Sequence, residues 1–213
     1  AQAILTQGPL PVTAPPHLPL NRRHPPGAMA AFPKLLGGSL QSKDGLVSTE
    51  DALAGKPAVA LYFSAHWCPP CRGFTPQLAE WYSKDLKAKG LEIVFVSSDR
   101  DESSFQEYYG EMPWLALPFD QKEAKAALSK KYKVSGIPTV VILDAEANVI
   151  SKDGRSAIAG DPTGESFPWK PKSLAELMEP MTLLRGDGST CGADVLKDRV
   201  FAFYFRAHWC PPC

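Results

Sequence analysis

Two cysteines separated by two prolines, Cys68-Pro69-Pro70-Cys71, follow Trp67, and the same five-residue run returns from Trp209 to Cys213. Sulfurs at this spacing suit two chemistries: the pair can open and close a disulfide, or it can give two thiolates to a metal. In the first, a Cys68 thiolate attacks a disulfide and Cys71 displaces the product. In the second, Cys68, Cys71, Cys210 and Cys213 make a four-thiolate zinc site. The flanks favour exchange. Both pairs follow an apolar run and a tryptophan, whereas structural zinc sits on tight, glycine-bearing knuckles. Two inert buried cysteines are a third reading, one that leaves a motif repeated with its whole flank unexplained.

The surrounding pattern supplies a frame for exchange. Ala58 to Ala65 is short and continuously apolar, which suits a buried strand. After the motif, Phe74, Leu78, Trp81, Tyr82 and Leu86 recur at three- and four-residue steps, an amphipathic helix closed near Gly90. Cys68 therefore sits where a strand becomes a helix, with its sulfur expected to face unpaired backbone N–H groups and the positive end of the helix dipole. That lowers a thiol from about 8.5 toward neutrality. Pro69 and Pro70 fit a first helical turn, where missing N–H groups and fixed φ cost little. Leu91 to Ser97 predicts a second buried strand, Glu102 to Tyr109 and Lys122 to Tyr132 predict helices, and Thr139 to Leu143 with Asn148 to Ile150 predicts a hairpin. A closing helix is expected near Leu174 to Glu179. Together they give an α/β fold with a mixed sheet.

Part of the chain repeats. Ala60 to Cys71 (ALYFSAHWCPPC) and Ala202 to Cys213 (AFYFRAHWCPPC) agree at ten of twelve positions with an offset of 142, and Lys43-Asp44-Gly45 matches Gly186-Asp187-Gly188 at 143. That spacing is domain-sized rather than solenoid-sized. Residues 29–180 read as one complete domain and 181–213 as the incomplete start of a second, too short to close a core of its own. Residues 1–28 carry seven prolines between Pro9 and Pro26 and no apolar period, so they read as disordered. The 23 Lys+Arg balance 23 Asp+Glu overall, yet residues 1–43 hold four cations and no acid, which leaves the remainder at −4. Such a balance argues against a protein built to neutralise nucleic-acid phosphates. No uninterrupted apolar run exceeds six residues, far short of the roughly 20 a membrane helix needs.

The motif with its flank, Tyr62 to Arg72, together with Glu92 to Ser97, Glu111 to Ala116, Gly136-Ile137-Pro138-Thr139 and Phe167-Pro168-Trp169, resembles the nucleoredoxin and tryparedoxin branch of the thioredoxin-like superfamily. The resemblance covers residues 35 to 180 and begins again near Met181. It implies a thioredoxin-like fold, a central mixed β-sheet flanked by helices, followed by a truncated start of a second thioredoxin-like repeat. It makes Cys68 the attacking and Cys71 the resolving cysteine, with Cys210 and Cys213 their second-copy counterparts. Pro138 matches a cis-proline facing the disulfide, Ile137 offers its backbone to an extended substrate, and Trp67 shields the sulfurs and meets the client. Arg72 stands where its charge would favour a thiolate. Thioredoxins proper keep a buried Asp six residues before the attacking cysteine; here that position is Tyr62, so the group that deprotonates Cys71 is unassigned. His66, repeated as His208, is a candidate to tune the thiol.

These residues lead to the expectation of a protein-disulfide reductase working by mixed-disulfide exchange. It would bind no cofactor, since no dinucleotide fingerprint is present, and would draw electrons from an external flavoenzyme reductase or a low-molecular-weight thiol. Its partners would be disulfide-containing protein clients, with no nucleic acid and no membrane, in a reducing compartment of cytoplasmic or nuclear character. A rival reading is a redox-sensitive binding module that holds signalling partners with little turnover. A peroxidase is disfavoured, because Ala65 and His66 stand where a peroxide-activating Thr or Ser belongs. The Met112 to Phe119 loop is expected to cap the sheet, or else to select clients. Cys191 is expected to be an incidental buried thiol.

Overall fold

The computed structural model describes residues 31–202, 204, 208 and 209; the proline-rich segment read as disordered, and Cys210 and Cys213, lie outside the described residues. Three strands form the centre: β3 (Ala58–Ser64) and β4 (Leu91–Ser97), buried throughout, and β6 (Thr139–Asp144), buried at its four inner residues. Their apolar, β-branched and aromatic residues suit a pleated surface covered on both sides. On β3, Ala58, Ala60 and Tyr62 face one core, while Val59, Leu61 and Phe63 face the other. With β1 (Ser39–Ser42), β2 (Gly45–Ser48), β5 (Leu115–Ala116) and β7 (Val149–Ser151), they make a seven-stranded mixed sheet ordered β2-β1-β5-β4-β3-β6-β7.

Helices cover both faces. The first core holds side chains of α3 (Pro69–Trp81), α4 (Glu102–Gly110) and α6 (Gly154–Gly160), and the second those of α1 (Ala31–Leu36), α2 (Thr49–Leu53) and α5 (Lys122–Tyr132). Strands β3 and β4, helices α4 and α5 and the β6–β7 hairpin lie within a residue or two of the sequence expectation. Missing from that expectation are the β1–β2 hairpin, whose strands are four residues each, and α1, α2 and α6, each seven residues or shorter, all too short for a strand or helix period to show.

The stretch Met112 to Phe119 is more than a loop: β5 inside it pairs with both β4 and β1. Trp114 and Leu117 are buried, so they complete the core and are closed to clients. The helix after the motif also departs from regularity. Pro76 lies inside α3, and residues Tyr82–Leu86 widen into a π-turn in which Lys87 N–H bonds the Tyr82 carbonyl.

Beyond Trp169 the chain forms α7 (Leu174–Met178), a separate two-stranded sheet of β8 (Thr182–Leu184) and β9 (Thr190–Gly192), and a 3₁₀ turn at Ala193–Leu196. The order helix, hairpin, short helix therefore occurs twice, at 31–53 and 174–196. Cys191, expected to be buried, is only partly buried on the narrow β9. A two-stranded ribbon covered on no more than one face cannot hide a side chain fully. No helix among the described residues is long and apolar enough to cross a membrane.

Candidate active site

The register of the central strands decides what surrounds the motif. In the parallel pair, Ser64 lies opposite Ser97, and Ser98 N–H continues the ladder to the Ser64 carbonyl at 2.8 Å. This brings residues 98 and 99 beside His66 and Trp67. The Trp67 indole N–H donates to the Ser98 carbonyl at 3.0 Å, and His66 N–H donates to the buried Asp99 carboxylate at 2.7 Å. Trp67 is thereby pinned at one edge while 55% of it stays exposed, a rigid apolar surface beside the sulfurs. In the antiparallel pair, Phe63 lies opposite Thr139, which places Pro138 level with the end of β3.

Cys68 and Cys71 are joined as a disulfide at the start of α3, with Cα atoms 5.2 Å apart. Cys71 is fully buried and Cys68 nearly so, at 4% exposed. The Ile137–Pro138 peptide bond is cis, and Cys68 Sγ lies 3.7 Å from the Ile137 carbonyl oxygen. The tertiary structure thus brings together Trp67, Cys68, Cys71, Ile137 and Pro138. Arg72 is solvent-exposed, and Cys210 and Cys213 lie outside the described residues. Gly154 lets α6 close on this side, since a Cβ there would stand 2.8 Å from the Val140 carbonyl. Beside Pro138, a cavity of about 500 Å³ is lined by Lys152, Asp153 and Arg155, with the Arg155 guanidinium 5.5 Å from the Phe74 ring centre. No motif in the sequence announced these two cations.

The expected bath of free N–H groups around Cys68 needs correction. Pro69 and Pro70, the first two helical residues, have none, while Cys71 and Arg72 N–H both bond the Cys68 carbonyl at 3.0 and 3.1 Å. In this oxidised state the helix acts on Cys68 through its dipole, not through direct N–H contacts. His66 is occupied differently from a general base: its ring stacks on Tyr108 with centroids 5.5 Å apart, and its Nδ1 lies 3.9 Å from Glu107.

Among the described residues, no carboxylate hydrogen-bonds the side chains packed beneath Cys71. Tyr62, fully buried, reaches Thr75 Oγ1 at 2.8 Å; Thr75 Oγ1 lies 2.5 Å from Tyr108 OH and donates to the Cys71 carbonyl at 3.0 Å; Tyr108 OH meets Ser64 Oγ at 3.1 Å. Burial drives the Tyr62 hydroxyl well above the ordinary tyrosine range, so it stays neutral. The buried acid of the sheet, Glu92, is occupied elsewhere by Tyr82 OH at 2.9 Å and Lys56 Nζ at 3.1 Å. Among the described residues no group of His, Cys, Asp and Glu is arranged to hold a metal.

Residues 56–149 match a family model described as thioredoxin-like. Tryparedoxin of Trypanosoma brucei brucei is 49% identical over 144 residues, which are 66% of this chain and 99% of that protein. The chain belongs to the nucleoredoxin and tryparedoxin branch of the thioredoxin-like proteins. The solved tryparedoxin structure from Trypanosoma brucei superposes with a TM-score of 0.62 at 48% identity, covering 66% of this chain and 99% of that one. Tryparedoxin II complexed with glutathionylspermidine gives the same score at 36% identity, covering 68% and 99%. Nucleoredoxin of Danio rerio is 44% identical over 150 residues, 70% of this chain, which spans only 35% of that longer protein. Membership makes this tryparedoxin-like chain a thiol–disulfide oxidoreductase, a disulfide reductase of thioredoxin-like fold.

Proposed function

We propose that the chain reduces disulfides of protein clients through Cys68 and Cys71. The observation that carries this is the Cys68–Cys71 disulfide at the start of α3, facing the Ile137 carbonyl and cis-Pro138. In the reduced protein, the Cys68 thiolate attacks one sulfur of the client disulfide; that S–S bond breaks and one client thiolate leaves. Cys71, as thiolate, then attacks Cys68 Sγ and releases the second client thiol. Two electrons pass to the client, and the Cys68–Cys71 disulfide is the product. Ile137 would pair with an extended client backbone, while exposed Trp67 supplies the apolar contact.

The oxidised pair is recharged from outside by a dithiol flavoenzyme or a small thiol. The glutathionylspermidine complex of a relative supports a small glutathione-type thiol, and Lys152 and Arg155 beside Pro138 suit the carboxylate such a donor carries. A reducing compartment, cytoplasmic or nuclear, follows from that cycle. Residues 181–213 are read as the opening of a second unit of the same kind. Turnover of insulin disulfides with glutathione or a dithiol flavoenzyme as donor tests the proposal. Wild type is expected to turn over and Cys71→Ser to stall as a mixed disulfide at Cys68. No turnover by wild type, with clients still bound, would leave the binding-module reading in its place.

A further inference from the structure

Four buried hydroxyls and no charge lie where this fold would otherwise keep an acid under the resolving cysteine. Their hydrogen-bond directions are fixed by counting. The Cys71 carbonyl can only accept, so the single Thr75 O–H proton goes to it. Thr75 Oγ1 must then accept from both Tyr62 and Tyr108, and Tyr108, having given its proton away, must accept from Ser64. All four side chains are at most 1% exposed, so water does not compete for these partners. A chain of donors pointing one way polarises its last member and strengthens the bond to Cys71.

The brace meets the helix where its backbone is weakest. Pro69 and Pro70 stand where a helix has no N–H bond to lose, but Pro76, the residue after Thr75, cannot donate to the Arg72 carbonyl, so α3 lacks one bond of its own ladder beside Thr75. We infer that Thr75, backed by Tyr62, Tyr108 and Ser64, is a positioning residue for the resolving step: it holds the turn that carries Cys71 so that its sulfur stays in reach of Cys68 once the disulfide is open. The inference rests on the exchange mechanism proposed above. Cys68 lies outside the braced turn, as its N-terminal cap, so attack on the client is not the step the brace serves.

The test separates the two steps in the full chain. Reduced protein is mixed with glutathione disulfide, quenched in acid at intervals, and the Cys68 peptide is weighed by mass spectrometry; its glutathione adduct forms at the rate of attack and decays at the rate of resolution. Thr75→Val, nearly the same shape without the hydroxyl, is expected to slow decay about tenfold, roughly what one charge-free buried hydrogen bond supplies, and to leave formation within about twofold. Thr75→Ser is expected to restore decay to within about twofold of wild type, since the hydroxyl returns. Unchanged decay in Thr75→Val, equal slowing of both steps, or failure of serine to rescue overturns the inference. Circular dichroism checks folding; should the valine variant not fold, Tyr108→Phe, which removes one donor to Thr75, is expected to slow decay about threefold with the same split, and no slowing overturns it. If wild type forms no adduct at Cys68, the exchange mechanism itself fails, an outcome distinct from any of these.

Discussion

Residues 31–53 and 174–196 trace the same path, a short helix, a hairpin and a one-turn helix, yet they live in different surroundings. In the first, Phe32, Leu36, Leu40 and Leu53 are buried against Val59, Leu61, Phe63 and the rest of the second core, and β1 extends the main sheet through β5. In the second, Met178 is the one buried side chain of α7, Leu174, Leu177 and Leu184 stand half-exposed or more, and β8 and β9 pair only with each other. The hairpins turn at Asp44-Gly45 and Asp187-Gly188, where Gly45 and Gly188 hold φ of 121° and 84°, a region that glycine enters at no steric cost. The turn is local chemistry, and it forms with or without a sheet to lie on. Burial is not local, and stability and catalysis follow burial.

This contrast can be broken most sharply at the two Trp-Cys-Pro-Pro-Cys motifs. Cys68→Ser is expected to lower insulin-disulfide turnover at least about a hundredfold, as loss of a nucleophile does, while Cys210→Ser in the same 213-residue chain changes it by less than about twofold. The first motif faces the Ile137 carbonyl and cis-Pro138. Similar losses from both substitutions would show that the motif alone suffices.

Next in size is packing. Leu40, fully buried on β1, and Leu183, on β8, occupy matching places in the two hairpins. Leu40→Ala is expected to cost about 3 kcal/mol in urea unfolding, the usual range for a buried leucine, and Leu183→Ala less than about 0.5 kcal/mol. Equal costs would mean that the second hairpin is as firmly packed as the first.

The smallest effect concerns two aspartates. Burial opposes ionisation of Asp161, but the N–H groups of Ser166 and Glu165 and the Trp169 indole outweigh it and hold the carboxyl below the usual carboxylate range. Hydrogen bonds from the Ser189 hydroxyl and N–H do the same for Asp187 at the second hairpin. A depressed folded-state pKa gives stability that is present above the unfolded value, about 3.9, and lost as pH falls through the folded one. Asp161 ties down Trp169, which packs in the first core, so Asp161→Asn is expected to flatten the acid limb of the thermal midpoint below about pH 4. Asp187→Asn is expected to leave that limb unchanged, because the ribbon it caps buries little. A matching change in both variants would tie the second hairpin into the cooperative unit.

Much of the site was legible in the residues. Continuous apolar runs marked β3 and β4 and the periodic residues after Cys71 marked α3, whereas Gly136-Ile137-Pro138-Thr139 pointed at the segment that meets the disulfide only through its resemblance to the family. Local pattern carries such information because strand and helix periods are properties of neighbouring residues. Three things were not legible. The strand inside Met112 to Phe119 exists only because β1 and β4 lie on either side of it. The taking-up of the first N–H groups of α3 by the Cys68 carbonyl depends on the path of the turn. The hydroxyl brace joins residues 62, 64, 75 and 108 from two helices and a strand, and nothing in their spacing announces it.

The sequence by itself determined the chemistry: two sulfurs one turn apart, prolines that stiffen the turn between them, and a strand and helix to hold it. Only the tertiary structure decided that this chemistry has a place to act, because the parallel and antiparallel registers of β3 carry Ser98 and Pro138, far away along the chain, to either side of Cys68. It also decided that an uncharged network stands under Cys71. Hydrogen bonds between distant hydroxyls form only when packing has excluded water from all of them at once.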